Sequence, residues 1–233
     1  MLINIQRSSE RGTTKTTWLN SRHSFTFGNY WNPNQMNFGL LRVLNDDWIE
    51  PGTGFGMHGH DNMEIVTIVL EGSLQHTDTM GNSEAINVGE VQRMSAGRGL
   101  RHSETNPSKK EKLHLLQIWV DPKEHDVAPT YEQRKITPGK NKLEIVVSPD
   151  GPVSINQDAV FALGNLEHGK EISYKLKKGD NGVYVFVIKG GIHIQSNSLK
   201  EGDAASIVDI EAGEVKIKAV EDSQILLIEV PME

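Results

Sequence analysis

Met63-Glu64-Ile65-Val66-Thr67-Ile68-Val69-Leu70-Glu71-Gly72-Ser73-Leu74-Gln75-His76 is a run rich in β-branched residues that stops at Glu71-Gly72 and then resumes. It reads as strand, glycine turn, strand. Val187-Ile188-Lys189-Gly190-Gly191-Ile192-His193-Ile194 repeats the pattern of Val69 to His76. Further along, Val88-Gly89-Glu90-Val91 parallels Glu201-Gly202-Asp203-Ala204 as a turn that restarts a strand. The chain therefore divides into two similar halves of short strands and turns. Two β-sandwich or barrel domains fit this better than a βαβ alternation. Between the halves, Asp121 to Lys142 carries Pro122, Pro129, Pro138 and Gly139 among many charges and has no sustained apolar period. The expected organisation is a domain over residues 1–121, a linker over 122–142 and a second domain over 143–233.

Two pairs flank the first repeat, His58-Gly59-His60 and His102-Ser103-Glu104. In an extended strand residues two apart share a face, so each pair can present two ligands to one point. Two such strands facing each other would make a cage of three imidazoles and one carboxylate. Glu50-Pro51-Gly52-Thr53-Gly54-Phe55-Gly56 before the first pair and Ser95-Ala96-Gly97-Arg98-Gly99 before the second read as turns, which places both pairs at strand starts. Such a donor set suits iron, manganese, cobalt, nickel, copper or zinc, and four protein ligands leave positions open on an octahedral ion. His23, His76, His114 and His125 have no ligand-spaced neighbour and read as packed or solvent-facing. Trp18, Phe25, Phe27 and Trp119 lie in alternating segments and read as core.

Sliding the first half onto the second places Leu176 and Lys178 opposite His58 and His60, and Val215-Lys216-Ile217 near the second pair. None of these residues supplies a ligand in register. His168 and His193 are isolated, and the second half is expected to be structural.

The 233 residues can bury one large core or two smaller ones. Thirty-one acidic against 24 basic residues give a formal net charge of −7, which argues against direct contact with a nucleic-acid backbone. The basic clusters Lys109-Lys110 and Lys175 to Lys178 are short and read as solvated faces. The absence of cysteine excludes disulfides, thiolate ligands and thiol nucleophiles. Residues 1–7 are too polar for a signal peptide and no apolar run approaches the roughly 20 residues of a membrane span, so a cytoplasmic protein is expected.

Gly52, His58-Gly59-His60 and Glu64 resemble the first cupin motif, and Gly89, Gly97, His102 and Asn106 resemble the second. Within cupins the sequence resembles the pirin family through Glu10-Arg11-Gly12, His23-Ser24-Phe25-Thr26-Phe27, Leu41 to Asp47, Met94-Ser95-Ala96-Gly97 and His102-Ser103-Glu104-Thr105-Asn106. That resemblance implies a bicupin with one metal, usually iron, in its N-terminal barrel, held by His58, His60, His102 and Glu104. Two departures from the general cupin pattern stand out: Ser95 where proline is common, and a longer step from Gly97 to His102. Glu64, the carboxylate ligand of other cupins, is expected to have a supporting role, since in pirins Glu104 takes the metal.

The resemblance further implies a quercetin 2,3-dioxygenase-like activity. A flavonol would bind the metal through its 3-hydroxyl, Glu104 would accept the proton as catalytic base, and reaction with dioxygen would open the heterocycle to a depside and release carbon monoxide. The alternative is a metal-dependent co-regulator that acts through a protein partner, because some pirins have that role and a shared fold does not choose. A zinc isomerase or small-molecule sensor is a weaker third reading. The expected assembly is a monomer or weak homo-oligomer.

Overall fold

The structure, a computed structural model, describes residues 1–210 and 213–233. Its first barrel pairs two sheets. One contains β2 (Gly12–Lys15), β3 (Leu19–His23), β4 (Leu41–Ile49), β6 (Glu64–Glu71), β9 (Glu90–Ser95), β11 (Leu113–Val120) and β12 (Thr130–Lys135), in the order β12-β9-β6-β11-β4-β3-β2. The other contains β5 (Gly54–His60), β7 (Ser73–Asp78), β8 (Ser83–Asn87) and β10 (Leu100–Thr105), in the order β5-β10-β7-β8.

The second barrel repeats the plan. Its larger sheet has the order β1-β19-β16-β21-β14-β13, from β1 (Leu2–Gln6), β13 (Lys142–Val147), β14 (Val160–Leu166), β16 (Gly182–Lys189), β19 (Ala204–Val208) and β21 (Ser223–Val230). Its smaller sheet has the order β15-β20-β17-β18, from β15 (Glu171–Lys175), β17 (Gly191–Ile194), β18 (Asn197–Lys200) and β20 (Glu214–Ala219). The strands named by the internal repeat correspond: β6 and β16 each have eight residues and the same succession of buried and exposed positions. The glycines that follow, Gly72 and Gly190, both have positive φ, +78° and +82°. A Cβ at Gly72 would meet the Lys112 carbonyl at 2.7 Å and one at Gly190 the Asp222 carbonyl at 2.3 Å, so the tight strand-to-strand step requires glycine twice.

The continuous apolar runs reflect burial on both sheet faces. Along β6 and β11, Val69, Leu113 and Leu115 pack inside the first barrel with Leu74 and Ile86. The alternate residues Val66, Ile68, Leu116 and Ile118 point outward into a core shared with Val146, Phe161, Phe186, Leu226 and Ile228 of the second barrel. A third cluster, with Val185, Ile192, Ile194, Val215, Ile217 and Leu227, fills the second barrel. Where the first barrel carries its histidine pairs, the second has apolar side chains: Ile217 pairs with Ile172 and Val215 with Tyr174 across β20 and β15. A fully buried carboxylate there, Glu229, accepts hydrogen bonds from the Tyr174 hydroxyl, the Asn181 side chain and the backbone N–H groups of Lys177 and Lys178.

Two segments differ from the sequence expectation. Residues 122–142, read as a linker, contain β12, which extends the first barrel's sheet by pairing Thr130–Lys135 with β9. Its prolines flank the strand rather than interrupt it, and its charges suit a sheet edge. At the other end, β1 joins the second barrel by pairing with β19, so the N-terminal strand crosses to the opposite half. Among the described residues no helix is long and apolar enough to cross a membrane.

Because the outward faces of both large sheets form one core, the halves should unfold together. Phe161, fully buried in that core, is the residue to test. Phe161→Ala should lower stability by about 3–5 kcal/mol while leaving a single unfolding transition in calorimetry. Two resolved transitions would show that the barrels are independent.

Candidate metal centre

The site is built on β5 and β10, which are neighbours in one sheet rather than strands facing across the barrel. They run antiparallel with His58 directly opposite His102. Inward residues of β10 alternate as the pleat requires: Leu100, His102 and Glu104 are buried, while Arg101 is exposed. The β5 register slips between the partners of His102 and Glu104, so that Glu104 faces Phe55. This irregularity, in a strand with Gly54 and Gly56, re-aims the side chains beside the site as β-bulges do. Gly54 is needed there because a Cβ would lie 2.2 Å from the Glu104 carbonyl. The stretch read as a turn before His58 does turn at Pro51-Gly52, but β5 already begins at Gly54, so His58 and His60 stand at the end of that strand rather than at its start.

The rings of His58, His60 and His102 converge, with centroids 4.4 Å apart for His58–His102 and 4.9 Å for each of the other two pairs. One ligand atom from each lies within 4.8 Å of the others. The His58 Nδ1–H donates to the Gly56 carbonyl at 2.8 Å, which leaves Nε2 as the free lone pair. Both ring nitrogens of His102 are buried without a hydrogen-bond partner. Unpaired buried nitrogens are costly in a dry barrel, and a cation is the partner that imidazole lone pairs facing one another can share. Glu104 groups within the same distance with His102 and with His76.

Burial governs the electrostatics. It pushes the Glu104 carboxyl up to about 7, against the opposing effect of the Gln117 side chain, which donates to its oxygens at 2.8 and 3.1 Å. Thr67 in turn donates to the Gln117 amide oxygen at 2.8 Å, so β6, β11 and β10 jointly orient the carboxyl. Burial and then the His58 charge hold His60 down to about 4. Burial and the His58 and His60 charges hold His102 down to about 2. These imidazoles are thus neutral, the form that binds a metal.

A cavity of about 310 Å³ opens onto His58, His60 and Glu104. Phe27, Phe55 and Trp119 form apolar walls, and the His60 and Trp119 rings meet edge to face with centroids 4.9 Å apart. Phe27 and Trp119, expected as core, thus line the cavity. His23 lines it too, held by Asn45 Oδ1 on Nδ1 at 2.7 Å and Thr14 Oγ1 on Nε2 at 2.8 Å. Asp47, with a carboxyl raised to about 7 by burial, completes the polar wall.

Glu64 lies elsewhere. It stands an odd number of residues from the inward Thr67 and points toward the other barrel, where Oε2 accepts from the Asn156 N–H at 3.2 Å. His76 is the functional candidate that sequence reading passed over: it is fully buried beside His102, and its ligand-spaced neighbour is Asp78. His114 stacks on Trp48 and bonds Asp46 at 2.6 Å, a packed role as expected, and His125 is exposed.

Residues 5–120 match the pirin family and residues 145–230 match the quercetinase C-terminal cupin domain. The chain belongs to the pirin family of bicupin proteins. It is 42% identical to the quercetin 2,3-dioxygenase of Escherichia coli strain K12, covering 99% of each chain. It is 36% identical to a pirin-like protein of Caulobacter vibrioides, covering 91% of this chain and 92% of that one. Bacterial pirin YhhW of Escherichia coli, solved in complex with nickel(II), superposes with a TM-score of 0.93 at 41% identity over 99% of both chains.

The raised Glu104 and depressed His60 and His102 act on the metal-free protein in opposite directions. The histidine contributions to stability are present above about pH 6.5 and are lost as pH falls, through about 4 for His60 and about 2 for His102. The Glu104 contribution is full below about pH 4.5 and is lost as pH rises through about 7. If Glu104 ligates the ion, nickel(II) binding at pH 6 should release about one more proton per ion in the wild type than in Glu104→Gln. Calorimetry in buffers of differing ionisation enthalpy reads this, and equal release would mean that Glu104 is not deprotonated by the ion.

Proposed function

We propose that this pirin is a metal-dependent dioxygenase of flavonols, with His58, His60, His102 and Glu104 as the ligands of a single divalent ion. The observation that carries the reading is the convergence of the His58, His60 and His102 rings, with the buried Glu104 carboxyl beside His102, next to an aromatic-walled cavity that His58, His60 and Glu104 line. Its volume, about 310 Å³, suits a small flat molecule. The name of the Escherichia coli relative supports the substrate class. A divalent ion here would supply Lewis acidity, drawing in the 3-hydroxyl oxygen of the flavonol and making its proton more acidic.

The chain's own residues do the rest. Glu104 is matched to a proton transfer near neutrality, because burial has brought its carboxyl to about 7. Gln117, itself fixed by Thr67, keeps that carboxyl aimed at the cavity rather than free to rotate. Phe27, Phe55 and Trp119 provide faces against which fused aromatic rings can lie, and they exclude water from the reacting face. Iron is the metal implied by the family resemblance, nickel is bound in the Escherichia coli relative, and this donor set accommodates both.

Oxygen uptake with quercetin, measured on protein of known metal content, tests the proposal. The wild type should turn over, and a variant combining His58→Ala with His102→Ala should not. Glu104→Gln should keep part of its metal and lose on the order of 10²–10⁴ in turnover if Glu104 is the base. Full activity in that variant would remove Glu104 from the mechanism. A metal-loaded, folded wild type without turnover would leave the co-regulator role as the better reading.

A further inference from the structure

The cavity beside the metal centre is lined from both sheets of the first barrel. The smaller sheet supplies His58, His60 and Glu104, and the larger supplies Asn45 and Asp47 from β4 with His23 from β3. Most polar groups on the larger-sheet side are already engaged. His23 Nδ1–H donates to Asn45 Oδ1 at 2.7 Å, Nε2 then accepts from the Thr14 hydroxyl at 2.8 Å, and the Gln117 amide is held between Thr67 and Glu104.

Asp47 is the exception. It is buried, 3% exposed, and lines the cavity, yet its Oδ1 has no hydrogen-bond partner. The indole Nε1 of Trp119, a residue of the same wall, is also unpartnered. An unpaired carboxylate oxygen is the costlier of the two to bury, because a charge as well as a hydrogen bond goes unanswered. Burial accordingly pushes the Asp47 carboxyl up to about 7, against the opposing effect of Ser21, its neighbour across the β3–β4 pairing.

The internal repeat shows that the fold itself does not ask for a carboxylate here. Strand β11 lies between β6 and β4 as β21 lies between β16 and β14. Leu115, the third residue of β11, pairs with Asp47, and Ile225, the third residue of β21, pairs with Gly164. A Cβ at Gly164 would already lie 3.1 Å from the Leu143 side chain and 3.2 Å from that of Ile225. The second barrel closes with apolar packing the place where the first keeps a cavity and an unanswered acceptor.

We propose that Asp47 is a specificity-determining residue of this cavity, its carboxylate accepting a hydrogen bond from a phenolic hydroxyl that lies away from the substrate oxygen facing the histidines. This role presupposes the flavonol reading above and narrows the substrate class to polyhydroxylated flavonols. A phenol suits the surroundings of Asp47 because its ring is apolar, as Phe27, Phe55 and Trp119 are, while its O–H makes a strong hydrogen bond to a carboxylate. A site built around such a bond rejects the analogue that lacks the hydroxyl, since the carboxylate is then left buried and unpaired.

Binding to the full-length, nickel-loaded protein, followed by tryptophan fluorescence without oxygen so that turnover does not intervene, tests the assignment. Quercetin carries hydroxyls on both the fused benzo ring and the pendant ring, galangin carries them beyond position 3 on the benzo ring alone, and 3-hydroxyflavone has none beyond position 3. The wild type should bind quercetin about tenfold or more tightly than 3-hydroxyflavone. Asp47→Asn should remove most of that preference by weakening quercetin, with 3-hydroxyflavone held within about threefold. Galangin locates the donor: behaviour like quercetin puts the hydroxyl on the benzo ring, behaviour like 3-hydroxyflavone puts it on the pendant ring, and either upholds the contact. The unliganded variant should have an unchanged or raised Tm, because a buried charge without a partner has been removed.

Equal weakening of quercetin and 3-hydroxyflavone, or a wild type that does not tell them apart, overturns the role of Asp47 and leaves flavonol binding standing. A lowered Tm with the preference intact makes Asp47 a packing residue and overturns the role as well. A folded, nickel-loaded wild type that binds none of the three overturns the flavonol reading together with it. Should Asp47→Asn fail to fold, Asp47→Ser serves in its place under the same criteria.

Discussion

The antiparallel pairing of β5 with β10 is the constraint on which the site depends. It sets His58 opposite His102, and the register slip beside it turns Phe55 rather than Gly56 toward Glu104. Both results are matters of register, which is strongly specified here because the inward face of the sheet is buried. A one-residue shift would send His102 and Glu104 to the solvent face. Gly54, too close to the Glu104 carbonyl to tolerate a side chain, is part of what holds the register.

The polar groups of the site can be kept in a dry interior because the rest of the chain is so thoroughly apolar. Both large sheets bury both faces, one in their own barrel and one against the other barrel. That shared core lets the first barrel surrender part of its interior to imidazoles and carboxyls, which do little for packing. The second barrel shows the same scaffold with that interior filled by Ile172, Ile194, Val215 and Ile217. The same scaffold thus carries a polar interior in one barrel and an apolar one in the other. The shifts of Glu104, His60 and His102 measure that contrast, since desolvation leads in all three.

Much of this was legible in the residues. Strand periodicity, the repeated glycine turns and the two ligand-spaced pairs carry a plan of two all-β domains, which the family resemblance made a bicupin, and bring His58, His60 and His102 to notice. Other features were hidden for identifiable reasons. The proline-flanked β12 looks like a linker because an edge strand needs little apolar character. Phe27 and Trp119 alternate as core residues do, and alternation does not tell a filled interior from a cavity wall. His76 and Asp78 had the same spacing as the two pairs, but nothing in the local sequence says that β7 will lie beside β10.

The amino-acid sequence by itself determined which side chains share a strand face, because alternation is a property of a single extended chain. It determined the duplicated architecture and the chemistry of the donor set for the same local reason. Only the tertiary structure decided which faces meet. Strand order places β10 between β5 and β7, turns Glu64 toward the other barrel, and encloses His76 with His102 and Glu104. Those are pairings between segments far apart in the chain, set by the burial of whole sheets, and no spacing within a single strand encodes them.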